Sequence, residues 1–294
     1  MFSYTESEEC SYEFLPDLSK MSSMGCGGRA YLAISPQSGD ALCAVISRLH
    51  SSGRRYRVVG NMTNILPPDG IYTGVIVRTD LLTAIECREN EITVSCGCPV
   101  PYLVRVAAER GLADFSPVCG IPGTVGGFVY SNCGSFGGSC ADYLLRATVY
   151  SADEGKAFVM SAADMDFSYR YSALHAGGLY LLDATFRAEG CDPAATLTGI
   201  AAINRKRREL QPQGRSLGSV FLRNGGVIPA RLIDAAGLRG VRIGGAVVSE
   251  KHAGFIINDG GATSSDVARL IEYIRAEVRR LYGVTMTTEI EILS

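Results

Sequence analysis

A chain of 294 residues that is 47% hydrophobic, with 28 basic against 30 acidic side chains, has enough apolar material for one large core or two moderate ones. The near-neutral balance argues against a nucleic-acid or membrane-surface footprint, because the one basic run, RKRR at 205–208, is short. No apolar stretch approaches the roughly 18 residues of a membrane span, and the N-terminal MFSYTESEEC lacks the basic-then-apolar order of a secretion signal, so a cytoplasmic protein is expected.

The first twenty residues carry neither a helical nor an alternating period, and the sequence predicts an arm over 1–16 with ordered structure from about Met24. DALCAVISRL, from Asp40 to Leu49, repeats its apolar residues at helical spacing, and Gly53 supplies a left-handed stop. YRVVG at Tyr56, GVIVR at Gly74 and EITVSCG at Glu91 read as strands. A helix is predicted from Pro101 to Gly111, then a glycine-dense loop, then strands at LRATVYS and YLLDATFRAE, then a helix from about Ala194 to Leu210. The tail predicts a short helix at RLIDAAGLRG, a strand at GFIIN, a long amphipathic helix from Ser264 to Tyr282, and a closing strand at TTEIEIL. Helices and strands in mixed order predict α+β domains rather than a doubly wound sheet.

Ten cysteines contain no CxxC pair. The nearest approach, Cys96 and Cys98, lacks metal-ligand spacing, so small buried thiols in a reducing compartment are expected and no metal.

The stretch GIPGTVGGFVYSNCGSFGG, from Gly120 to Gly138, concentrates glycine where the rest of the chain does not. Glycine lets backbone approach a bulky ligand and turn successive N–H groups toward an anion. GNMTN, from Gly60 to Asn64, follows a strand and offers a second such loop. Neither is a GxGxxG or GK[ST] signature, which points to a flavin dinucleotide held by another fold.

These loops belong to a longer ordered set. SKMSSMGCGG at Ser19, GNMTN, GIPGTVGG, DFSYRYSAL, LGSVFLRN, RIGGAVVSEKHAGFIIN and TTEIEIL together resemble the motifs of the UDP-N-acetylenolpyruvoylglucosamine reductase family, from about Asp17 to the last strand. The resemblance implies a vanillyl-alcohol-oxidase (PCMH-type) FAD-binding region over 17–206, made of α+β subdomains at about 17–70 and 71–206. A smaller α+β substrate-binding domain over 207–294 follows. The short interval between DFSYRYSAL and LGSVFLRN resembles the subtype without the tyrosine-bearing substrate loop. The chain departs from the family pattern at Met62, where glycine is usual, at Met24–Gly25, and at Gly225–Gly226.

The implied activity is NADPH-dependent reduction of the enolpyruvyl group of UDP-N-acetylglucosamine enolpyruvate in peptidoglycan precursor synthesis, with hydride passing through flavin N5. By the same resemblance Ser219 is the proton donor, Arg170 steadies the enolate and carboxylate, and Glu289 is the catalytic carboxylate. Strand parity gives Glu291 the same face as Glu289, so periodicity does not choose between them. FAD would be held by Gly60, Asn61, Met62, Thr63, Asn64, Gly120, Ile121, Pro122, Gly123, Thr124, Gly126, Gly127 and Asn132, and the nucleotide sugar by Tyr169, Arg208, Arg223, Asn224, Lys251 and His252. No nucleic-acid, membrane or obligate protein partner is expected. The alternative is another FAD oxidoreductase of the same fold.

Overall fold

The computed structural model describes residues 9–293. The segment expected as an unstructured arm forms strand β1 (Cys10–Phe14), which pairs antiparallel with β2 (Arg29–Pro36), and a single helical turn α1 (Leu18–Met21). The expectation fails there because β1 gains its backbone partners from β2, whereas its own residues are half-exposed or exposed and carry no apolar period. Residues 1–8 of the expected arm lie outside the described residues.

Helix α2 (Gly39–Ser51) starts where the Ser38 hydroxyl accepts the Ala41 N–H, and it buries Leu42, Ile46 and Leu49, one face of a helix. Strands β3 (Tyr56–Val59), β4 (Ile65–Leu66), β5 (Ile71–Arg78), β6 (Ile85–Arg88) and β7 (Glu91–Ser95) precede helix α3 (Val100–Glu109). Inside the glycine-dense stretch the chain forms a helix, α4 (Val125–Tyr130), that the glycine count concealed. Thr124 caps it, and burial of Val125, Phe128 and Val129 outweighs the poor helix propensity of Gly126 and Gly127. A tight hairpin follows, β8 (Gly134–Ser135) with β9 (Gly138–Ser139), then β10 (Leu144–Ser151), β11 (Lys156–Ser161), β12 (Leu179–Arg187) and helix α5 (Pro193–Leu210).

The remainder comprises β13 (Arg215–Ser219), α6 (Pro229–Ala235), β14 (Arg242–Ile243), β15 (Ala246–Val248), β16 (Phe255–Asn258), α7 (Ser264–Tyr282) and β17 (Glu291–Ile292). Helix α7 opens on a reciprocal capping box between Thr263 and Asp266 and closes on left-handed Gly283. The strand expected over all of TTEIEIL is confined to β17. Thr288 pairs with Phe221, whereas Glu291 pairs in parallel with Ile65 of β4, so the segment changes partner around buried Ile290.

The described residues divide into two compact units, one of 9–14, 32–60 and 74–207, the other of 15–31, 61–73 and 208–293. The first holds a four-stranded sheet ordered β1-β2-β5-β3 and a five-stranded antiparallel sheet ordered β11-β10-β12-β7-β6, with α2, α3 and α4 contributing to its core. The second holds the antiparallel sheet β13-β16-β15-β14 and the β4–β17 pair, with α6 and α7 contributing to its core. Both units are α+β. This division is not a single linear cut. Met24, Cys26 and Leu66 enter the second core, and the Asp69 carboxylate accepts the N–H groups of Ser264 and Ser265, which draws 15–31 and 61–73 to the C-terminal elements.

Candidate active site

In the first unit Gly60, at the end of β3, meets Thr124 of the longer glycine loop. A Cβ on Gly60 would lie 2.2 Å from the Thr124 hydroxyl, so only glycine lets the end of β3 close on the cap of α4. The loop before α4 is sewn to the segment after β7: Val125 and Gly126 donate to the carbonyls of Cys98 and Cys96, and Val100 donates to that of Gly123. Cys96 and Cys98 line this seam at 1% and 0% exposure. Burial pushes their thiols up to about 12 and about 11, and neither supplies a thiolate at neutral pH.

Gly120 and Gly123 take φ of +71° and +128°, the region glycine alone enters cheaply. Gly127 is different. Its backbone is helical and it is exposed, and only the Thr124 hydroxyl, at 4.0 Å, comes near the position of a Cβ. Packing within the protein does not require glycine there, and glycine costs a helix roughly 1 kcal/mol relative to alanine. The bare backbone there leaves room for a bulky group, and in this respect the loop fits a dinucleotide cofactor.

Arg207 on α5 fixes the same stretch. Its guanidinium donates to the Cys119 carbonyl at 2.9 Å and the Ser135 hydroxyl at 2.6 Å and lies over the Phe136 ring. Gly120 also packs against it, since a Cβ there would meet Arg207 Cδ at 2.9 Å. The family resemblance points instead to its neighbour Arg208, which is exposed. Within RKRR, no sequence signal distinguishes the arginine that faces the loop.

Arg170 stands at the tip of a two-residue turn. Ser168 and Tyr171 exchange N–H···O bonds of 3.2 Å, and Arg170 takes φ of +57° with its guanidinium over Tyr169. Its Nη2 donates to the Gly134 carbonyl at 3.4 Å. Asn132 is 8% exposed and touches the same turn through its carboxamide. On the far side, the Ser172 hydroxyl donates to the Tyr130 carbonyl, and His175 stacks on Tyr130 at 3.9 Å.

The second unit carries Asn61 to Asn64, Arg208, Ser219, Arg223, Asn224, Lys251, His252 and Glu289. Met62 is 2% exposed with φ of +45°, so its side chain belongs to the interior and its backbone to the region glycine prefers. The Asn64 amide donates to the Glu289 carbonyl at 3.0 Å, and the Glu291 N–H donates to the Asn64 carbonyl.

Ser219 ends β13 at an irregularity. The pairing of β13 with β16 slips between Ser216 and Ser219, with Gly218 at φ of +77° inside the slip. Such a bulge re-aims the side chain that follows it, and Ser219 is exposed. Immediately beyond, Glu289 donates its N–H to the Val220 carbonyl at 2.7 Å, and Leu222 donates to Thr287. This register sets Glu289, not Glu291, alongside the residue after Ser219.

Arg223 and Asn224 are exposed, and Asn224 starts a tight turn to Val227 through Gly225 and Gly226 at φ of +54° and +82°. The Lys251 ammonium donates to the Arg208 carbonyl. His252 accepts the Gly254 N–H at Nδ1, which leaves Nε2 as the protonated nitrogen of the neutral ring. Burial, reinforced by Arg239 and Arg223, holds its pKa below the ordinary value. Among the described residues no group of three or more His, Cys, Asp or Glu could hold a metal ion, and no helix is long and apolar enough to cross a membrane.

Family profiles match two parts of the chain: an FAD-binding domain over residues 30–161 and the C-terminal domain of UDP-N-acetylenolpyruvoylglucosamine reductase over 211–293. The chain is 38% identical over 291 residues to the UDP-N-acetylenolpyruvoylglucosamine reductase of Caldicellulosiruptor saccharolyticus, covering 97% of this chain and 94% of that one. It is 34% identical over 277 residues to the protein of that name from Clostridium botulinum, covering 94% of this chain and 90% of that one. The crystal structure of UDP-N-acetylenolpyruvylglucosamine reductase from Thermus caldophilus superposes with a TM-score of 0.82 at 27% identity, over 96% of this chain and 98% of that one.

Proposed function

The chain belongs to the UDP-N-acetylenolpyruvoylglucosamine reductase family, and from that premise we propose that it reduces the enolpyruvyl ether of UDP-N-acetylglucosamine enolpyruvate with NADPH, giving the lactyl ether of UDP-N-acetylmuramate. The enzyme is an FAD-containing oxidoreductase of peptidoglycan precursor synthesis. FAD, when bound, supplies the reversible two-electron chemistry between the two substrates.

The remaining tasks fall to this chain's side chains. Hydride delivery to one carbon of the enolpyruvyl double bond leaves negative charge beside the carboxylate, and the other carbon must receive a proton. Ser219 donates that proton, with Glu289 beside its strand as the carboxylate of the pair. Arg170 offers the carboxylate a planar fork, which matches its geometry better than an ammonium would. Gly60 to Asn64 and the 120–127 loop hold the cofactor, within a region running over 17–206. Residues 207–294 bind the nucleotide sugar, with Arg208, Arg223, Asn224, Lys251 and His252 meeting its diphosphate and sugar and Tyr169 beside Arg170.

The observation that carries this reading is the backbone register beside the Gly218 bulge: Ser219 turns outward while Glu289 hydrogen-bonds the very next residue. Incubation of the purified protein with NADPH and UDP-N-acetylglucosamine enolpyruvate, followed by mass spectrometry, tests it. A product two hydrogens heavier than the substrate supports the assignment. Oxidation of NADPH that consumes oxygen and leaves the sugar nucleotide unchanged contradicts it.

A further inference from the structure

We propose that Asn132 is a positioning residue for Arg170, acting through the protein backbone rather than by holding the cofactor. The inference rests on the assignment of Arg170 above. The carboxamide of Asn132 donates to the Ser168 carbonyl at 2.9 Å and accepts the Ala141 N–H at 3.0 Å. One side chain thus bridges two backbone segments, 141 and 168, that are distant in sequence.

Ser168 is the residue that closes the turn carrying Arg170, so the bridge acts on the base of that turn. The turn needs such support. Arg170 holds a left-handed φ of +57° that a residue with a Cβ adopts only at an energetic cost, and Ser168 and Tyr171 supply two mutual hydrogen bonds of 3.2 Å against it. Asn132 braces the turn through Ser168, Gly134 receives the Arg170 guanidinium two residues later, and the Ser172 hydroxyl ties the exit of the turn to Tyr130. Residues 130–134 therefore hold both the backbone and the charged end of Arg170.

Asparagine suits position 132 for two reasons. Its backbone φ is +39°, a region that asparagine tolerates better than most residues, and its amide presents a donor and an acceptor at once. Aspartate keeps the acceptor for Ala141 but sets an oxygen against the Ser168 carbonyl. Asn132→Asp therefore breaks one end of the bridge without changing side-chain size.

The test is a double-mutant cycle read by stopped-flow on the flavin-loaded protein. For Asn132→Asp the expected result is flavin content and NADPH-driven bleaching within about two-fold of the parent, with reoxidation by UDP-N-acetylglucosamine enolpyruvate slowed about 10- to 100-fold, the scale of a misplaced catalytic group. In an Arg170→Ala background the same change should slow reoxidation less than about two-fold further, because the residue it positions is gone. Asn132→Gly, which keeps the left-handed backbone and deletes both bonds, serves if the aspartate variant does not fold, and should give the same pattern. Loss of flavin with a normal rate in the fraction still loaded would make Asn132 a cofactor contact and overturn the proposal. Equal slowing in both backgrounds would overturn it while leaving Arg170 in its role. No effect of Arg170→Ala on reoxidation would remove the assignment of Arg170 and this inference with it.

Discussion

The two units place their candidate residues by different means. In the first unit the candidate residues sit on backbone at positive φ: Gly120 at +71°, Gly123 at +128°, Arg170 at +57° and Asn132 at +39°. Arginine and asparagine side chains from elsewhere in that unit brace them. In the second unit the candidate residues are placed by strand register. The pairing slips at Gly218 just before exposed Ser219, and the Glu289 N–H bonds the Val220 carbonyl, a register that on the proposed reading favours Glu289 over Glu291. A braced loop tolerates changes on its surface and fails when a distant brace is lost. A registered strand is sensitive along its length and indifferent to remote positions.

Substitutions can break this contrast. The largest expected effect is in the second unit: Ser219→Ala should slow reoxidation of the reduced flavin by the enolpyruvyl substrate about 100-fold or more, the scale of losing a general acid. Bleaching by NADPH should stay near the parent rate, and equal slowing of both steps would remove Ser219 from proton donation. Glu289→Gln should slow the same step about 10- to 100-fold, and Glu291→Gln should change it less than about two-fold. A reversed pattern would mean that the register at Val220 does not select the working carboxylate.

In the first unit Arg207→Ala removes bonds to Cys119 and Ser135, each worth about 1–3 kcal/mol when made to a charged group. The expected outcome is a weakening of FAD retention by roughly ten-fold or more, measured as flavin recovered per protein after dialysis. Arg208→Ala should leave retention unchanged and raise KM for the nucleotide sugar instead.

The smallest effect concerns stability. Asp266 accepts the Thr263 N–H, and that bond, with Arg269 and the Thr263 hydroxyl assisting, lowers its carboxyl to about 2. A carboxyl depressed in the folded state stabilises above its unfolded pKa near 4 and loses that contribution as pH falls toward 2. Asp266→Asn should therefore cost about 1–2 kcal/mol at pH 7, the scale of a helix cap, and the difference from the parent should shrink between pH 4 and pH 2 in denaturant titrations.

How much of this was legible in the sequence follows the same divide between local and distant causes. Helices α2, α5 and α7 were readable because periodicity and stop signals lie within the segment itself. Strand β1 was not, since its pairing partner begins well downstream, and α4 was hidden because its glycines answer to something other than helix propensity. At the candidate site, the glycine run announced itself, whereas the serine after Gly218 stood out only through the family resemblance. The partners of Asn132 and Arg207 did not, because Ser168 lies 36 residues from one and Ser135 lies 72 residues from the other. Glu289 and Glu291 share parity in an unbroken strand. Only the change of partner at Ile290 separates them.

We propose that one protein carries electrons from NADPH to an enolpyruvyl ether in two separable steps. Sequential-mixing stopped-flow of the flavin-loaded protein tests it most directly, with NADPH added anaerobically and UDP-N-acetylglucosamine enolpyruvate added next. The expected result is bleaching of the flavin band on the first addition and rapid recovery on the second, without oxygen. Bleaching that recovers only when oxygen is admitted would contradict it.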